Sequence, residues 1–446
     1  MRRTKIVATV GPPSISLISE MNRYVDAFRL NFAHGDTAQH KQYFEIIRKK
    51  APGKPILVDL PGPKLRLGLL PKPVELRRGQ TVTFSKGGDG LPVDDDAFYS
   101  VIEPGSVVLL ADSEVKVKIT SVDGDRAEGK VLEGGKLTSR KGINIPKLKV
   151  KVGLTQSDKA LLQEAMALGA DAIGLSFVVS ADEIREARKI YGSAFFIAKV
   201  EKADALKNLK SITEESNGVM VARGDLGVEV GLERLPAVQD RIIRVAREAG
   251  KPVILATQVL ESMVSNSSPT RAEVIDVANS VSKGVDSIML SDETAAGQNP
   301  MAAVKYLDGI VRKAELYLSP GPLPVARDEN DAMAFAAINA AKISGAKAIV
   351  AHSRSGLTVA RVARLRPDQP ILAIVEDELK FRQARFYWGV IPSLAPSSKE
   401  VSELFSRSWN EAVKAKLAKK GEKVVVVAGD PTTREGVTNL LEIHEV

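Results

Sequence analysis

Short apolar runs recur along this chain, each ending abruptly in polar or charged positions. They occupy residues 5–10, 27–32, 55–60, 172–177, 195–200, 218–222, 252–256 and 287–290. Between them lie stretches of helical spacing, as in 157–168, where Ala160, Leu161, Glu164, Ala165 and Leu168 follow the helical repeat, and in 237–249. Strand and helix alternating about eight times is the signature of parallel βα units, and eight such units suit a closed (β/α)8 TIM barrel, an α/β fold. An open, doubly wound sheet is the second reading. It predicts one dominant glycine-rich turn, and none stands out.

The pattern breaks once. Between about 65 and 146 the period shortens to two, as in Thr81-Val82-Thr83-Phe84 and Val115-Lys116-Val117-Lys118-Ile119, with turn signals at Gly87-Gly88, Asp123-Gly124-Asp125 and Gly134-Gly135. This predicts an all-β domain inserted after the third strand, either a lid over the barrel's catalytic face or a passive decoration. After Ser319-Pro320-Gly321-Pro322-Leu323-Pro324, a linker by composition, a second α/β pattern begins. Its helices start near Glu329 and Gly356, and its strands fall at 348–351, 371–375, 389–391, 423–427 and 440–444. The domains expected are a barrel (1–65 and 147–322), a lid (66–146) and a C-terminal α/β domain (323–446) with helices on both faces of its sheet.

Composition narrows the classes. Hydrophobic residues are 44% of 446, enough for sizeable cores in two or three domains. Lys+Arg 63 against Asp+Glu 55 gives +8, scattered rather than blocked, which suits anionic small molecules as well as an ordinary solubilising surface. Aromatics at 5% and the lack of an arginine-rich arm count against nucleic acid. No run reaches the roughly 18 apolar residues of a membrane helix, and Met1-Arg2-Arg3-Thr4-Lys5 leads straight into a strand-like segment. Neither signal peptide nor membrane span is therefore expected, and the cytoplasm is the expected location. Cysteine is absent, which excludes disulfides and thiolate metal sites.

The carboxyl ends of barrel strands build the site in such enzymes, and here those ends carry chemistry. Phe195-Phe196-Ile197-Ala198-Lys199-Val200-Glu201 and Val219-Met220-Val221-Ala222-Arg223-Gly224-Asp225 both finish in charge. Strand alternation puts Lys199 with Glu201 on one side, and Arg223 with Asp225 likewise. Two carboxylates and a lysine gathered there suit a hard divalent cation beside a phosphoryl group. The remaining ends add Arg29 and Asn31, Asp59, Ser176, Thr257 and Gln258, and Ser291 and Glu293. Taken singly, each has a plain structural explanation, an ion pair for Arg or Glu and a helix cap for Thr. Their convergence on one rim is what points to a site.

Several motifs then resemble the pyruvate kinase family: Thr4-Lys5-Ile6-Val7-Ala8-Thr9-Val10-Gly11-Pro12, Arg29-Leu30-Asn31-Phe32-Ala33-His34-Gly35, Gly62-Pro63-Lys64-Leu65-Arg66, Met220-Val221-Ala222-Arg223-Gly224-Asp225-Leu226-Gly227, Ala256-Thr257-Gln258-Val259-Leu260-Glu261-Ser262-Met263 and Pro269-Thr270-Arg271-Ala272-Glu273. The likeness extends past Met289-Leu290-Ser291-Asp292-Glu293-Thr294-Ala295 and, less sharply, into the last domain. It implies the same three-part architecture and Mg²⁺-dependent transfer of phosphoryl from phosphoenolpyruvate to ADP, giving pyruvate and ATP in glycolysis. By that resemblance Glu201 and Asp225 hold Mg²⁺ or Mn²⁺. Lys199 and Arg29 bear on the phosphoryl group, and Arg66 joins from the lid hinge. Ser176 and the Gly224 and Asp225 amides belong to the substrate pocket. Thr257 and Ser291 lie on the route that protonates the enolate carbon, with the final donor, side chain or water, left open. Pro12, Asn31, His34 and Lys141 are implied for the nucleotide, although a lone histidine is more often a structural hydrogen-bonder. A homotetramer is implied as well.

The departures from the family are specific. Members that need K⁺ place serine where Ala33 stands and glutamate where Lys64 stands. With Asn31 and Asp59 retained, a tethered ammonium replaces a diffusible cation, so K⁺ is not expected to be required. An exposed lysine with no such role is the plain alternative. A tyrosine that often follows the histidine motif is absent, with Gln39 or its neighbours in that region, and Pro61 stands where a basic residue is usual, for which there is no physical account. In the last domain His352-Ser353-Arg354-Ser355-Gly356-Leu357-Thr358 follows a strand and opens a helix, supplying the hydroxyls, glycine and N–H groups an anion site requires. The resemblance implies a phosphorylated allosteric effector at Ser353, Arg354, Ser355, Gly356 and Thr358, with 429–436 closing over it. A plain helix cap accounts for Ser353 or Ser355 equally well. Two rival functions remain. Another phosphoenolpyruvate or pyruvate barrel enzyme, a lyase or mutase, would not need Lys199, the lid or the nucleotide residues. An inactive regulatory relative would be free to lose Lys199, Thr257 or Glu201.

Overall fold

Eight parallel strands close a barrel in the computed structural model, which describes residues 1–87, 89–111, 114–145, 153–317, 324–432 and 436–446. They are β1 (Lys5–Thr9), β2 (Ala27–Asn31), β3 (Ile56–Asp59), β4 (Ala172–Leu175), β5 (Phe195–Val200), β6 (Gly218–Ala222), β7 (Val253–Ala256) and β8 (Ser287–Leu290). Closure comes from β8 against β1, with Lys5 opposite Ser287 and Ala8 opposite Leu290. Every strand residue except Asn31 is buried, because side chains on one face fill the barrel and those on the other meet helices. That double burial is why the runs read as continuously apolar rather than alternating. Val7, Leu57, Ile197, Met220, Ile254 and Met289 point inward, while Ile6, Phe28, Val58, Ile173, Phe196 and Val219 pack outward.

The insertion between β3 and β4 has its own core around Phe84, Phe98 and Val117. Its six-stranded sheet runs in the order Ile143–Asn144, Val107–Leu110, Val115–Asp123, Arg126–Glu133, Thr81–Ser85, Leu91–Pro92, and Val74–Leu76 pairs separately with Gly135–Leu137. It is not all-β, which corrects the expectation from sequence. A helix, Asp96–Val101, forms where Asp95 accepts from the Ala97 N–H at 2.9 Å and Phe98 and Tyr99 turn into the core. The two chains of the stem run antiparallel, the Ile143 N–H donating to Leu65 O (2.8 Å) and the Leu67 N–H to Lys141 O (2.9 Å). The domain boundaries drawn at 146/147 and 322/323, the linker at 319–323, and Gly88 of the Gly87-Gly88 turn lie outside the described residues.

The last domain is a sheet of β9 (Ala348–His352), β10 (Ile371–Val375), β11 (Val390–Leu394), β12 (Lys423–Ala428) and β13 (Leu440–Glu445), ordered β11-β10-β9-β12-β13 with only β13 antiparallel. Helix Glu329–Ser344 covers one face through Ala334, Ala337 and Ala341, and Val401–Lys414 covers the other through Leu404 and Ala412. Phe386 of this domain enters the barrel's inner cluster from below and stacks on Phe195, centroids 5.4 Å apart. The barrel floor is thereby sealed by the C-terminal domain, and the lid stands at the opposite end. Among the described residues no helix is long and apolar enough to cross a membrane.

Candidate active site

A chain of buried ions spans the rim from β1 to β5. The Lys199 Nζ donates to Ser176 Oγ at 2.6 Å and lies 2.9 Å from Asp59 Oδ1 and 3.2 Å from Glu201 Oε1. Asp59 Oδ2 accepts from Arg29 Nε (2.8 Å) and Nη2 (2.5 Å), and Arg29 Nη1 donates to Thr9 Oγ1 (2.9 Å). Burial works against the Asp59 carboxylate, yet Lys199 and Arg29 outweigh it and hold its pKa below the usual range. Burial likewise works against the Lys199 ammonium, yet Asp59 and Glu201 raise its pKa. Lys199 is therefore a fixed positive charge, already oriented in a place where water screens little.

Glu201 is 2% exposed and its Oε2 accepts the Phe177 N–H at 2.7 Å. Phe177 sits at φ +56°, a left-handed conformation costing on the order of 1–3 kcal/mol for such a residue, and this geometry aims its amide at the carboxylate. Burial first, and then the charge of Asp225, raises the Glu201 pKa although Lys199 opposes the shift.

The placement of Arg223 corrects the strand-based reading. β6 stops at Ala222, and Arg223–Val230 is a helix. Residues two apart on a helix diverge by about 200° instead of sharing a side. Arg223 accordingly turns away, to Asp276 Oδ2 (2.5 Å), Gln258 O (2.5 Å) and Thr257 O (3.2 Å). It clamps two consecutive left-handed residues, Thr257 at φ +64° and Gln258 at φ +51°. Held so, Thr257 Oγ1 accepts the Gly224 N–H (2.8 Å) and donates to Ala256 O (2.7 Å). Sequence reasoning missed this clamp, since neither glycine nor asparagine marks the positive φ and Asp276 lies on a distant helix. Glu293 is scaffold too, its buried carboxylate accepting the Leu260 (2.9 Å) and Ser291 (2.7 Å) N–H groups. The Ser291 Oγ is buried without a hydrogen-bond partner among the described residues, a group left ready for a water or substrate.

Asp225 faces Lys64, whose Nζ lies 2.5 Å from its Oδ1. Burial would raise the Asp225 pKa, but Lys64 foremost lowers it, with a hydrogen bond from Asn144 of the lid assisting. The lysine therefore reaches the carboxylate across the site and not the Asn31–Asp59 side: Asn31 Oδ1 takes the Ala33 N–H at 3.1 Å, and Asp59 is engaged by Arg29 and Lys199. The lid lies directly on this pair. A Cβ at Gly142 would stand 2.7 Å from Lys64 Cε, so a larger residue there would displace the end of the lysine side chain. Arg66 Nη1 donates to Arg140 O (3.2 Å) at the stem. Pro12, His34 and Lys141 are exposed, and no hydrogen bond joins them among the described residues. The His34 pKa is lowered by partial burial and then by Arg66, which places the two in one field.

The donor set fits a hard divalent cation. Among the described residues no cluster of three or more His, Asp or Glu side chains could hold a metal. Glu201 and Asp225 form a mutually repelling pair, and Mg²⁺ is commonly held by one or two carboxylates with substrate oxygens completing its shell.

In the C-terminal domain the 352–358 loop makes its own cap. Ser353 Oγ accepts the Gly356 (3.0 Å) and Thr358 (3.4 Å) N–H groups, Ser355 Oγ the Leu357 N–H (3.4 Å), and Thr358 pairs with Thr438 (2.9 Å). A space of about 40 Å³ remains between this loop, Arg354 included, and residues 429–431 and 436–437. Residues 433–435 of the closing segment lie outside the described residues.

Comparison with known proteins agrees along the chain. The family model described as pyruvate kinase, barrel domain, matches residues 1–304, and that described as pyruvate kinase, alpha/beta domain, matches 331–444. A pyruvate kinase of Agrobacterium vitis is 40% identical, covering 100% of this chain and 97% of the relative. Those of Methylorubrum extorquens (39%; 99% and 97%) and Corynebacterium glutamicum (37%; 99% and 97%) are similar over comparable spans.

Proposed function

The chain belongs to the pyruvate kinase family, and we propose that its rim transfers the phosphoryl group of phosphoenolpyruvate to ADP, giving pyruvate and ATP. The observation that carries the residue assignment is the buried Lys199 ammonium between Asp59, Glu201 and Ser176. A compact charge fixed before the substrate arrives stabilises the charge that spreads over the phosphoryl oxygens in flight, and no reorganisation is needed at that moment. Arg29, held by Asp59, presents its guanidinium to the same group. Glu201 and Asp225 hold Mg²⁺ or Mn²⁺, which supplies further neutralisation of the phosphoryl and enolate oxygens when bound. The Gly224 and Asp225 amides receive the substrate carboxylate. That requires Thr257 to release the Gly224 N–H, and its hydroxyl reaches the enolate carbon as a donor only by turning away from Ala256 O. Ser291, whose hydroxyl lacks a partner, completes the proton route with Thr257. Pro12, Asn31, His34 and Lys141 bound the nucleotide, and Arg66 closes over the phosphates from the stem.

Lys64 is assigned the part of a monovalent cation. Its support is the ion pair with Asp225, which tethers a cationic side chain at the site, and the lid glycine resting on its stem. The protein acts in the cytoplasm as a homotetramer in this reading, supported by the exposed apolar side chains Ile275, Tyr306 and Tyr317 on and beside the outer barrel helices. Formation of pyruvate and ATP from phosphoenolpyruvate and ADP, dependent on Mg²⁺ and abolished in Lys199→Met, is the deciding assay. Inactivity of the wild type across a broad temperature range would instead support a regulatory relative.

A further inference from the structure

A cavity of about 230 Å³ lies between the barrel floor and the C-terminal domain, at the end of the molecule opposite the rim. Its volume is that of roughly seven or eight waters. On the barrel side it is bounded by Phe195, the first residue of β5, by Asn217 just ahead of β6, and by Lys251 just ahead of β7. On the other side stand Leu357, Lys380 and Tyr387. No Asp or Glu lines it among the described residues, whereas four cationic side chains do: Lys251, Arg327, Arg361 and Lys380.

The two arginines are answered elsewhere. Arg361 Nη1 lies 2.7 Å from Asp331 Oδ1, and Arg327 Nε 2.9 Å from Asp331 Oδ2. The two lysines are not: Lys251 Nζ donates to the Ser216 carbonyl (2.5 Å), and Lys380 Nζ makes a long contact to Gln383 Oε1 (3.3 Å). Each ammonium carries three donors, so both keep unused capacity toward the cavity. Of the amides on the wall, Gln383 is engaged at both ends, Nε2 donating to Asp171 O (3.0 Å) and Oε1 accepting from Lys380, and Asn217 Oδ1 accepts the Phe196 N–H (3.0 Å). What is left is an apolar wall of Leu357, Val359, Ala360 and Val375 facing two under-coordinated positive charges. Burial, then Arg188, lowers the Lys251 pKa although Glu215 opposes the shift, and a bound anion would relieve the burial penalty.

We propose that this interdomain cavity binds a compact organic oxyanion, a phosphate or carboxylate on a small apolar body, held by Lys251 and Lys380. It is distinct from the small space outside the 352–358 loop, although Ser355 borders both. Its occupant would touch the roots of β5 and β6, whose far ends lead to Lys199, Glu201 and Asp225.

Calorimetric titration of the full-length protein with phenyl phosphate and with benzoate tests the site without reference to activity. One saturable site per chain is expected for at least one probe, and the tighter probe identifies the head group. Lys380→Gln should weaken binding about tenfold or more, as expected for losing a charge-assisted contact. Ala360→Leu, which fills the cavity and leaves every charge in place, should do the same. Arg354→Ala, which removes a side chain bordering only the outer space, should bind as the wild type does. Absence of saturable binding by either probe, wild-type affinity in either cavity variant, or loss of binding in Arg354→Ala would overturn the proposal.

Discussion

At the barrel rim, polar groups are buried as ions that answer one another; in the loop after β9 they are neutral hydroxyls answered by their own backbone. Arg29, Asp59, Lys199 and Glu201 meet from the ends of three strands, β2, β3 and β5. Ser353, Ser355, Gly356, Leu357 and Thr358 satisfy one another within a single turn. Charges gathered from distant parts of the chain cost desolvation and conformational freedom, and that cost is offset only by close pairing or by a ligand. A local cap forms wherever a serine precedes a helix. The contrast separates a preorganised reaction site from a loop whose hydrogen bonds need no ligand.

The largest effect that would break the comparison is at Lys199. Lys199→Met should lower turnover by about 10³-fold or more in the protein that remains folded, as for loss of a preorganised electrostatic contact. It also destabilises the fold, because Asp59 and Glu201 lose their buried cation. Near-normal turnover would remove the rim from the chemistry. Next, Asp59→Asn leaves Arg29 and Lys199 underpaired in a buried place and should cost about 3–5 kcal/mol in denaturant unfolding. A loss below about 1 kcal/mol, the scale of a surface pair, would mean the network is not buried in solution.

The C-terminal region has a comparable but pH-dependent term. His352 is buried, and burial, then Arg407 and Arg354, push its pKa from 6.5 down to about 4. The unfolded chain therefore holds the proton more tightly, and stability present above pH 6.5 should fall as the pH drops toward 4. The size is ~3 kcal/mol at most, and His352→Asn should remove this slope in a wild-type-minus-variant comparison of urea midpoints. Equal slopes in the two proteins would refute it.

Smaller still is the cap: Ser353→Ala should cost about 1 kcal/mol. The effector reading is tested beside it by screening sugar phosphates and nucleotides for a shift in the phosphoenolpyruvate saturation curve that Ser355→Ala and Arg354→Ala remove. Silence from every compound leaves the loop a cap alone. The smallest expected effect is that of K⁺ on the wild type. Turnover should stay flat as KCl replaces tetramethylammonium chloride at constant ionic strength, and a steep rise would refute the role given to Lys64.

Much of this is legible in the amino-acid sequence. Continuous apolar runs at 195–200, 218–222 and 287–290 coincide with the observed strands, because burial on both faces leaves a local signature that needs no knowledge of partners. The period-two stretch marks the insertion because its strands bury one face and expose the other, although it does not reveal the helix at Asp96–Val101, where a single capping aspartate and two aromatic side chains override the pattern. Lys199 and Glu201 were placed together by alternation and lie 3.2 Å apart. The same rule fails at the next strand end, at Arg223 and Asp225, because the backbone has already become a helix.

What the sequence by itself determined, then, is which segments become strands, in what order they enclose a barrel, and which chemical groups stand at its rim. Only the tertiary structure decided how those groups are shared. That Lys64 meets Asp225 across 161 residues, that Arg223 clamps Thr257 and Gln258, and that Gly142 admits the lid onto the lysine all follow from closure of the barrel and seating of the lid. Hydrophobic periodicity is a property of neighbours along the chain, whereas an ion pair is a property of neighbours in space.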